Sequence, residues 1–304
     1  MDEILILLTP VLVLLIIVVF GFTGCGGPPF TSEETPPIEP PEEPPGPKYA
    51  ELVESTPGFV AIWPMNESAG ETIAPALGPP NIDGVYMPGA TPGSPGALAN
   101  GDPQNFAPSL DGVTGFVEVP FNPLLNVQND PGVLGFSVEV WVKRDEAIPP
   151  GTEQIVVSSH HTSDAGNHRG YEIALVDSGA PHATVHARVF HVNDGTTTVA
   201  VTPVEGDPVA WQHIVLAYDM LAQNLRLYVN VSATFFDGTP HEDTANYSPV
   251  QEGAGERPLR FGAGHLPAGG PVAFFNGFID EVAYYNLPLD TADVEQHFMA
   301  FWVE

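Results

Sequence analysis

Beyond residue 48 the chain consists of short apolar runs that end at glycine, proline, asparagine or aspartate. Two of these runs, residues 136–143 and 225–229, alternate apolar and polar residues with a period of two. This alternation predicts strands with one buried face and one solvated face. The 31 glycines and 34 prolines among 304 residues are nearly twice the ordinary usage, which favours many turns over a helix bundle. The pattern therefore predicts an all-β fold, an antiparallel two-sheet sandwich of jelly-roll type.

The apolar runs predict where the strands lie. They are residues 59–64, 113–119, 136–143, 154–159, 170–176, 183–192, 197–201, 212–218, 224–229, 259–263 and 277–285. One helix is predicted near the end, over residues 291–298, because Asp290 is a suitable N-cap and Val294 and Phe298 form an apolar i, i+4 pair.

The charge balance limits the possible partners. The chain has 8 Lys and Arg against 38 Asp and Glu, a net charge of −30. So few cations exclude ordinary nucleic-acid binding, which depends on Lys and Arg replacing phosphate counterions. An acidic surface suits divalent cations or cationic partners instead. The single cysteine, Cys25, excludes an intrachain disulfide.

Residues 1–25 have the properties of a membrane anchor or signal. Residues 4–22 carry no charge, and as a helix they would span roughly 28 Å, enough for the hydrocarbon core of a bilayer. The acidic Asp2 and Glu3 favour an uncleaved anchor over a cleaved signal, whose start is normally basic. The alternative is a lipoprotein, because the residues before Cys25 resemble a lipobox and make this cysteine a candidate lipid anchor.

Residues 26–57 are predicted to form an acidic, proline-rich linker to a domain at 58–304. Paired prolines and glutamates recur over residues 26–47, which favours an extended polyproline II spacer of up to roughly 68 Å. Such a spacer would present the domain away from a membrane.

Five segments of the domain resemble the concanavalin A-like, laminin-G-like jelly-roll superfamily of lectins and adhesion modules. They are residues 63–70, 92–98 with 109–112, 136–142, 211–219 with 225–230, and 275–286. The resemblance covers residues 58–304 and implies the jelly-roll sandwich. The chain departs from the family pattern at Asn230, where an Asp-Gly pair is usual.

The resemblance also implies a structural calcium ion between the first turn and the last strand. Mapped onto this chain, the ligands would be Glu67, Gly112 and Asp280. Calcium prefers six to eight hard oxygen ligands, which carboxylates and loop carbonyls supply. The alternative is that Asp280 only caps backbone amides.

A cluster of polar residues is the candidate ligand site. It combines His161, His168, Arg169 and Tyr171 with His186 and Arg188, which share one face of the next predicted strand. These groups suit a glycan or an anion, and the alternative is a solvated loop beside a polar strand face. A transition-metal site is disfavoured because the adjacent His160 and His161 would face opposite sides of a strand.

No enzyme activity is expected. Hydrolases of this fold place two carboxylates on one strand as Glu-x-Asp-x-x-Glu, and the chain lacks that motif. We therefore expect a membrane-anchored, extracytoplasmic recognition or adhesion module that binds a glycan or a surface protein. The alternative is a structural component of a virion membrane or other surface assembly that contacts coat proteins and binds no sugar.

Overall fold

The computed structural model describes residues 49–79, 81–126, 134–145, 151–162, 167–177, 183–192, 195–201, 210–230, 241–249, 256–267 and 270–300. The predicted anchor, Cys25 and the linker up to residue 48 lie outside these residues. Within the described ranges, no helix has the length and hydrophobicity needed to span a bilayer.

Nineteen strands and two α-helices make up the described structure. The first ten strands are β1 (Phe59–Trp63), β2 (Ile73–Ala74), β3 (Gly84–Tyr86), β4 (Ala90–Pro95), β5 (Phe106–Asp111), β6 (Val117–Val119), β7 (Gly135–Arg144), β8 (Glu153–Ser158), β9 (His161–Thr162) and β10 (His168–Val176). The others are β11 (Thr184–His191), β12 (Gly195–Val201), β13 (Gln212–Asp219), β14 (Asn224–Val229), β15 (His241–Thr244), β16 (Leu259–Phe261), β17 (Gly264–His265), β18 (Pro271–Val272) and β19 (Asn276–Tyr285). The helices are α1 (Tyr49–Ser55) and α2 (Thr291–Ala300), and a 3-10 turn spans Pro123–Leu125.

The strands form two large antiparallel sheets. The first sheet has the order β15-β14-β13-β7-β19-β5-β4, and β1 also pairs with β19. The second sheet has the order β12-β11-β10-β8-β16-β6-β3-β2, with β9 on β10. The strands β17 and β18 form a separate hairpin. The predicted all-β class with two antiparallel sheets is confirmed, and the arrangement is consistent with a jelly-roll sandwich.

The main core lies between the two sheets. In β7 the alternate residues Phe136, Val138, Val140 and Val142 belong to this core, as the period-two pattern predicts. The second sheet contributes Ile173, among others. The inward faces of both sheets are therefore occupied, and any ligand must meet an outer face or a rim.

A second core covers part of the outer face of the first sheet. There α1 and α2 pack on side chains such as Trp141 and Tyr285. Residues 49–57 were predicted to belong to the linker, but α1 buries Tyr49, Leu52 and Val53 against the sheet. These three residues lie on one face of a helix because they are spaced i, i+3 and i+4. The helix α2 is where the capping pattern predicted it.

Candidate functional site

Arg188 is the centre of a polar cluster on the outer face of the second sheet. Its Nη1 donates to Glu172 Oε1 at 2.9 Å, and its Nη2 donates to Glu153. His186 Nδ1 lies 3.0 Å from Nη2. Because Glu172 pairs with Arg188 across β10 and β11, both side chains leave the same face of the sheet. One guanidinium thus bonds to two carboxyl groups that belong to neighbouring strands.

The Glu172 carboxylate is almost completely buried beneath Arg188. Burial raises the pKa of Glu172 to about 7, although the attraction of Arg188 opposes the rise. Ser158 Oγ donates to the second carboxylate oxygen at 3.1 Å. Burial and Arg188 both lower the pKa of His186. The cluster therefore holds Arg188 in one orientation.

A stack of three rings lies next to this cluster. The His160 and Phe190 rings are stacked with centroids 3.8 Å apart, and the His168 ring is 5.0 Å from that of His160. His160 Nε2 and His168 Nδ1 are hydrogen-bonded at 2.8 Å, and Thr162 Oγ1 lies within 3.3 Å of both. Burial first, and nearby His168, lower the pKa of His160 to about 3, so its ring is neutral. The stack offers imidazole edges that are partly exposed to solvent.

The predicted ligand residues do not all lie on one surface. His168, His186 and Arg188 are partly exposed on the outer side of the second sheet. Arg169 Nη1 donates to the Pro249 carbonyl at 3.2 Å. His161 is buried beside this surface, in β9.

Tyr171 lies in the core between the sheets and not on the surface. Its exposed fraction is 0%, its hydroxyl donates to the Leu125 carbonyl at 3.2 Å, and its ring lies 5.0 Å from that of Phe136. Tyr171 faces the core because successive side chains of a strand point to opposite faces, and the next residue of β10, Glu172, faces outward. Glu153, Glu172 and Phe190 were not among the predicted site residues. The sequence could have indicated them, because they alternate with core residues in their strands and therefore lie on the outer face of the sheet.

The predicted calcium ligands are only partly brought together. Asp280 is 0% exposed, and its oxygens accept from the backbone N–H groups of Ala97 at 2.8 Å and Glu281 at 3.0 Å. Burial first, and nearby Glu67, raise the pKa of Asp280. The Tyr86 hydroxyl donates to Glu67. Glu67 and Asp280 are thus electrostatic neighbours.

Gly112 lies beside Asn276, the first residue of β19, whereas Asp280 is in the middle of that strand. Gly112 follows Asp111, which pairs with Asn276, and Asp280 is four residues farther along β19. At ~3.3 Å per residue this separates Gly112 from Asp280 by roughly 13 Å, so it cannot share an ion with Asp280. The structure does not bring Gly112 to Asp280, because the hairpin places Gly112 beyond the paired end of β5.

The side-chain amides of Asn66 and Asn105, and not Gly112, supply neutral oxygens near Asp280. Asn105 Nδ2 donates to Glu281 Oε1 at 3.0 Å and to Asn66 Oδ1 at 3.2 Å. Carboxylate and amide oxygens are the donor types that calcium prefers. No group of three or more His, Cys, Asp or Glu side chains able to hold a metal ion occurs among the described residues. Any calcium ion here would therefore depend on Asp280, Glu67 and neutral oxygens.

A second buried carboxylate, Glu139, lies beneath the two helices. It is 0% exposed and accepts hydrogen bonds from the hydroxyls of Tyr49 and Tyr285, both at 2.7 Å. His213 Nε2 is 2.6 Å from Oε1, and His297 Nδ1 is 2.9 Å from Oε2. Burial raises the pKa of Glu139, but the two histidines lower it more, so the pKa is well below its usual range. This network is closed to ligands.

The chain resembles known proteins in sequence and in fold. The family model Laminin_G_3, described as the concanavalin A-like lectin/glucanases superfamily, matches residues 111–295. No curated protein matches the chain in sequence.

Several solved structures share the fold. The binding domain of botulinum neurotoxin serotype D/C VPI 5993 is 13% identical with a TM-score of 0.53, over 82% of this chain and 53% of that chain. The binding domain of botulinum neurotoxin DC in complex with SialylT is 11% identical with a TM-score of 0.51, over 78% and 52%. The binding domain of Paraclostridial Mosquitocidal Protein 1 is 16% identical with a TM-score of 0.51, over 78% and 53%. This chain thus spans about half the length of these proteins, and the likeness shows the fold.

The family match confirms the resemblance seen in the sequence, since it covers more than half of the chain. The protein therefore belongs to the Laminin_G_3 family of the concanavalin A-like lectin/glucanases superfamily.

Proposed function

We propose that this protein is a lectin-like recognition module that binds a glycan or a surface protein through the outer face of its second sheet. The observation that carries this proposal is Arg188, which Glu153 and Glu172 hold beside the rings of His160 and His168. Polar groups fixed before a ligand arrives bind it with a smaller loss of conformational entropy. Imidazole and guanidinium groups suit the hydroxyls and planar groups of a saccharide.

Binding, and not hydrolysis, fits these side chains. A retaining glycoside hydrolase needs two carboxylates about 5–5.5 Å apart that face each other across the scissile bond. Here the Arg188 guanidinium bonds to both Glu153 and Glu172. Glu139 is fully buried. These three carboxylates thus serve to position other groups.

A glycan array with the full-length chain tests the binding proposal, with Arg188→Lys as the informative variant. Lysine keeps the positive charge but cannot bridge two carboxylates in the same geometry. We expect at least tenfold weaker binding for this variant. The matched control is Arg226→Lys, in a partly exposed arginine on the first sheet, and it should bind normally. If the protein binds no glycan even at millimolar concentration, the structural-component alternative is favoured. The same conclusion follows if Arg188→Lys binds as tightly as Arg226→Lys.

The membrane role is part of the same proposal. The uncharged residues 4–22 and the proline-rich residues 26–47 support an anchored, extracytoplasmic domain on a stalk. The second candidate, a component of a virion membrane, is supported by the same residues. Alkaline carbonate extraction of full-length protein against a variant without residues 4–22 tests anchoring. If both proteins are released equally, the anchor is refuted, and Cys25→Ser distinguishes lipid attachment from a spanning helix.

We also propose a structural calcium ion at Asp280 and Glu67. The oxygen-rich surroundings of Asp280, with Asn66 and Asn105 nearby, support it. Its role would be to fix the turn before β5 against β19, away from the glycan surface.

A further inference from the structure

A row of polar and aromatic residues crosses the outer face of the first sheet, on the other side of the sandwich from Arg188. Lys143 in β7 pairs with Phe278 in β19, Phe278 pairs with Ser109 in β5, and Ser109 pairs with Thr91 in β4. Residues paired across strands project from the same face. Thr91 is exposed, and the other three are partly exposed.

Trp211 extends this row on its other side. The residue after it, Gln212, pairs with Val142, so Trp211 lies beside Lys143. The Trp211 and Phe278 ring centroids are 6.3 Å apart with an interplanar angle of 58°. The Lys143 ammonium lies 5.3 Å from the centre of the Phe278 ring. This cation–π contact holds the ammonium against an aromatic platform.

The charge environment of Lys143 resembles that of Arg226, because neither side chain forms an ion pair among the residues that the structure describes. The chain has 38 acidic residues, yet within the described ranges Lys143 forms no ion pair, whereas Arg188 and Arg260 each contact a carboxylate. Repulsion from the net charge of −30 is screened beyond about 10 Å at 0.1 M salt. Asp111 and Asp145 lie about 7 Å along the same face from Ser109 and Lys143. A small anion at the row therefore meets the ammonium and these two carboxylates, while an extended polyanion meets the rest of the acidic surface as well.

We propose that this row is a second binding surface, for a pyranose that carries a carboxylate. The Trp211 and Phe278 rings would cover the apolar face of the sugar. Lys143 would pair with its carboxylate, and the hydroxyls of Ser109 and Thr91 would bond to sugar hydroxyls. With neighbouring strands ~4.8 Å apart, the row extends roughly 19 Å. The proposal does not depend on the site at Arg188.

Two sugars that differ only at the exocyclic carbon provide the test. Binding of methyl β-glucuronide and methyl β-glucoside to the full-length chain is measured by titration calorimetry and by tryptophan fluorescence. We expect the glucuronide to bind at least tenfold more tightly. Lys143→Gln should remove this preference. Arg226→Gln changes the net charge equally, on the same sheet but about six residues farther along the strands, and should preserve it.

Further variants separate this surface from a folding defect and from the first site. Lys143→Arg keeps the charge and the cation–π contact, so it should retain the preference. Lys143→Gln should leave glycan binding at the second sheet unchanged, which distinguishes this surface from the site at Arg188. The proposal is overturned if the two sugars bind equally, if Lys143→Gln keeps the preference, or if Lys143→Arg loses it while remaining folded. A tetraglutamate peptide that binds as tightly as the glucuronide would also overturn it, in favour of an acidic peptide.

Discussion

The Nδ1 atom of His297 lies 2.9 Å from Oε2 of Glu139, so the last helix is hydrogen-bonded to a carboxylate in the centre of the first sheet. The two residues are 158 positions apart, and both side chains are buried. Tyr49 of the first helix bonds to the same carboxylate. One side chain in β7 thus connects both ends of the described chain, which explains why α1 belongs to the globular fold.

Glu139→Gln is expected to destabilise the protein by about 3–5 kcal/mol, the usual cost of breaking a buried ion pair. Glutamine keeps the shape but leaves the His297 ring without an anionic partner. Tyr49→Phe removes a single hydrogen bond and should cost only about 1 kcal/mol. Urea unfolding of the full-length variants measures both values. Equal stability of wild type and Glu139→Gln would show that the network contributes no net stability.

The same pair predicts a pH dependence of stability. The folded pKa of Glu139 is below its ordinary value of 4.5, so its contribution is present above pH 4.5 and is lost as the pH falls through the folded pKa. Burial lowers the pKa of His297, but Glu139 raises it more, to above 6.5. The histidine contribution is therefore complete below pH 6.5 and is lost as the pH rises through the folded pKa.

The pair should consequently contribute most between pH 4.5 and 6.5. The measurement is the difference in unfolding free energy between wild type and His297→Gln across pH 3 to 9. We expect a maximum of this difference inside that window. A difference that does not vary with pH would mean that His297 is bound as a neutral ring.

The raised pKa of Glu172 predicts that stability falls as the pH rises, whereas the Glu139 contribution is lost as the pH falls. The folded pKa of Glu172, about 7, lies above the ordinary 4.5, so the folded protein retains a proton that the unfolded chain has released. Stability should therefore fall as the pH rises from 4.5 to 7, by about 3 kcal/mol at most. Glu172→Gln should lack this part of the decline between pH 5 and 8. Identical declines in variant and wild type would refute a protonated Glu172.

The period-two pattern predicted the long strands well because their residues alternate between core and surface. The predicted residues 224–229 coincide with β14, and 136–143 lie within β7. Residues 113–116 were predicted as a strand but form a turn, in which Asp111 accepts from the N–H groups of Val113, Thr114 and Gly115. The strand β4, with its glycine and prolines, was missed because edge strands tolerate residues that the pattern treats as turn signals.

The candidate sites were less predictable because they depend on register between distant strands. Arg188 was identified from its strand, but its partner Glu172 becomes evident only once β10 and β11 pair. The row of Trp211, Lys143 and Phe278 combines three strands that are far apart in sequence. A local pattern defines which face a residue occupies, and only the pairing defines its neighbours.

Asp280 provides the test of the calcium proposal. If the ion is present, a chelator should lower the melting temperature of the wild-type protein by several degrees, since a ligand that binds only the folded state stabilises it. Asp280→Ala and the isosteric Asp280→Asn should abolish this difference. The matched control is Asp219→Asn, because Asp219 also accepts two backbone N–H bonds, from Leu221 and Ala222 at 2.9 Å, and it lies in a turn of the first sheet. This control should keep the full response to chelator. If wild type does not respond, or if both asparagine variants respond alike, Asp280 is only a cap for the backbone amides of Ala97 and Glu281.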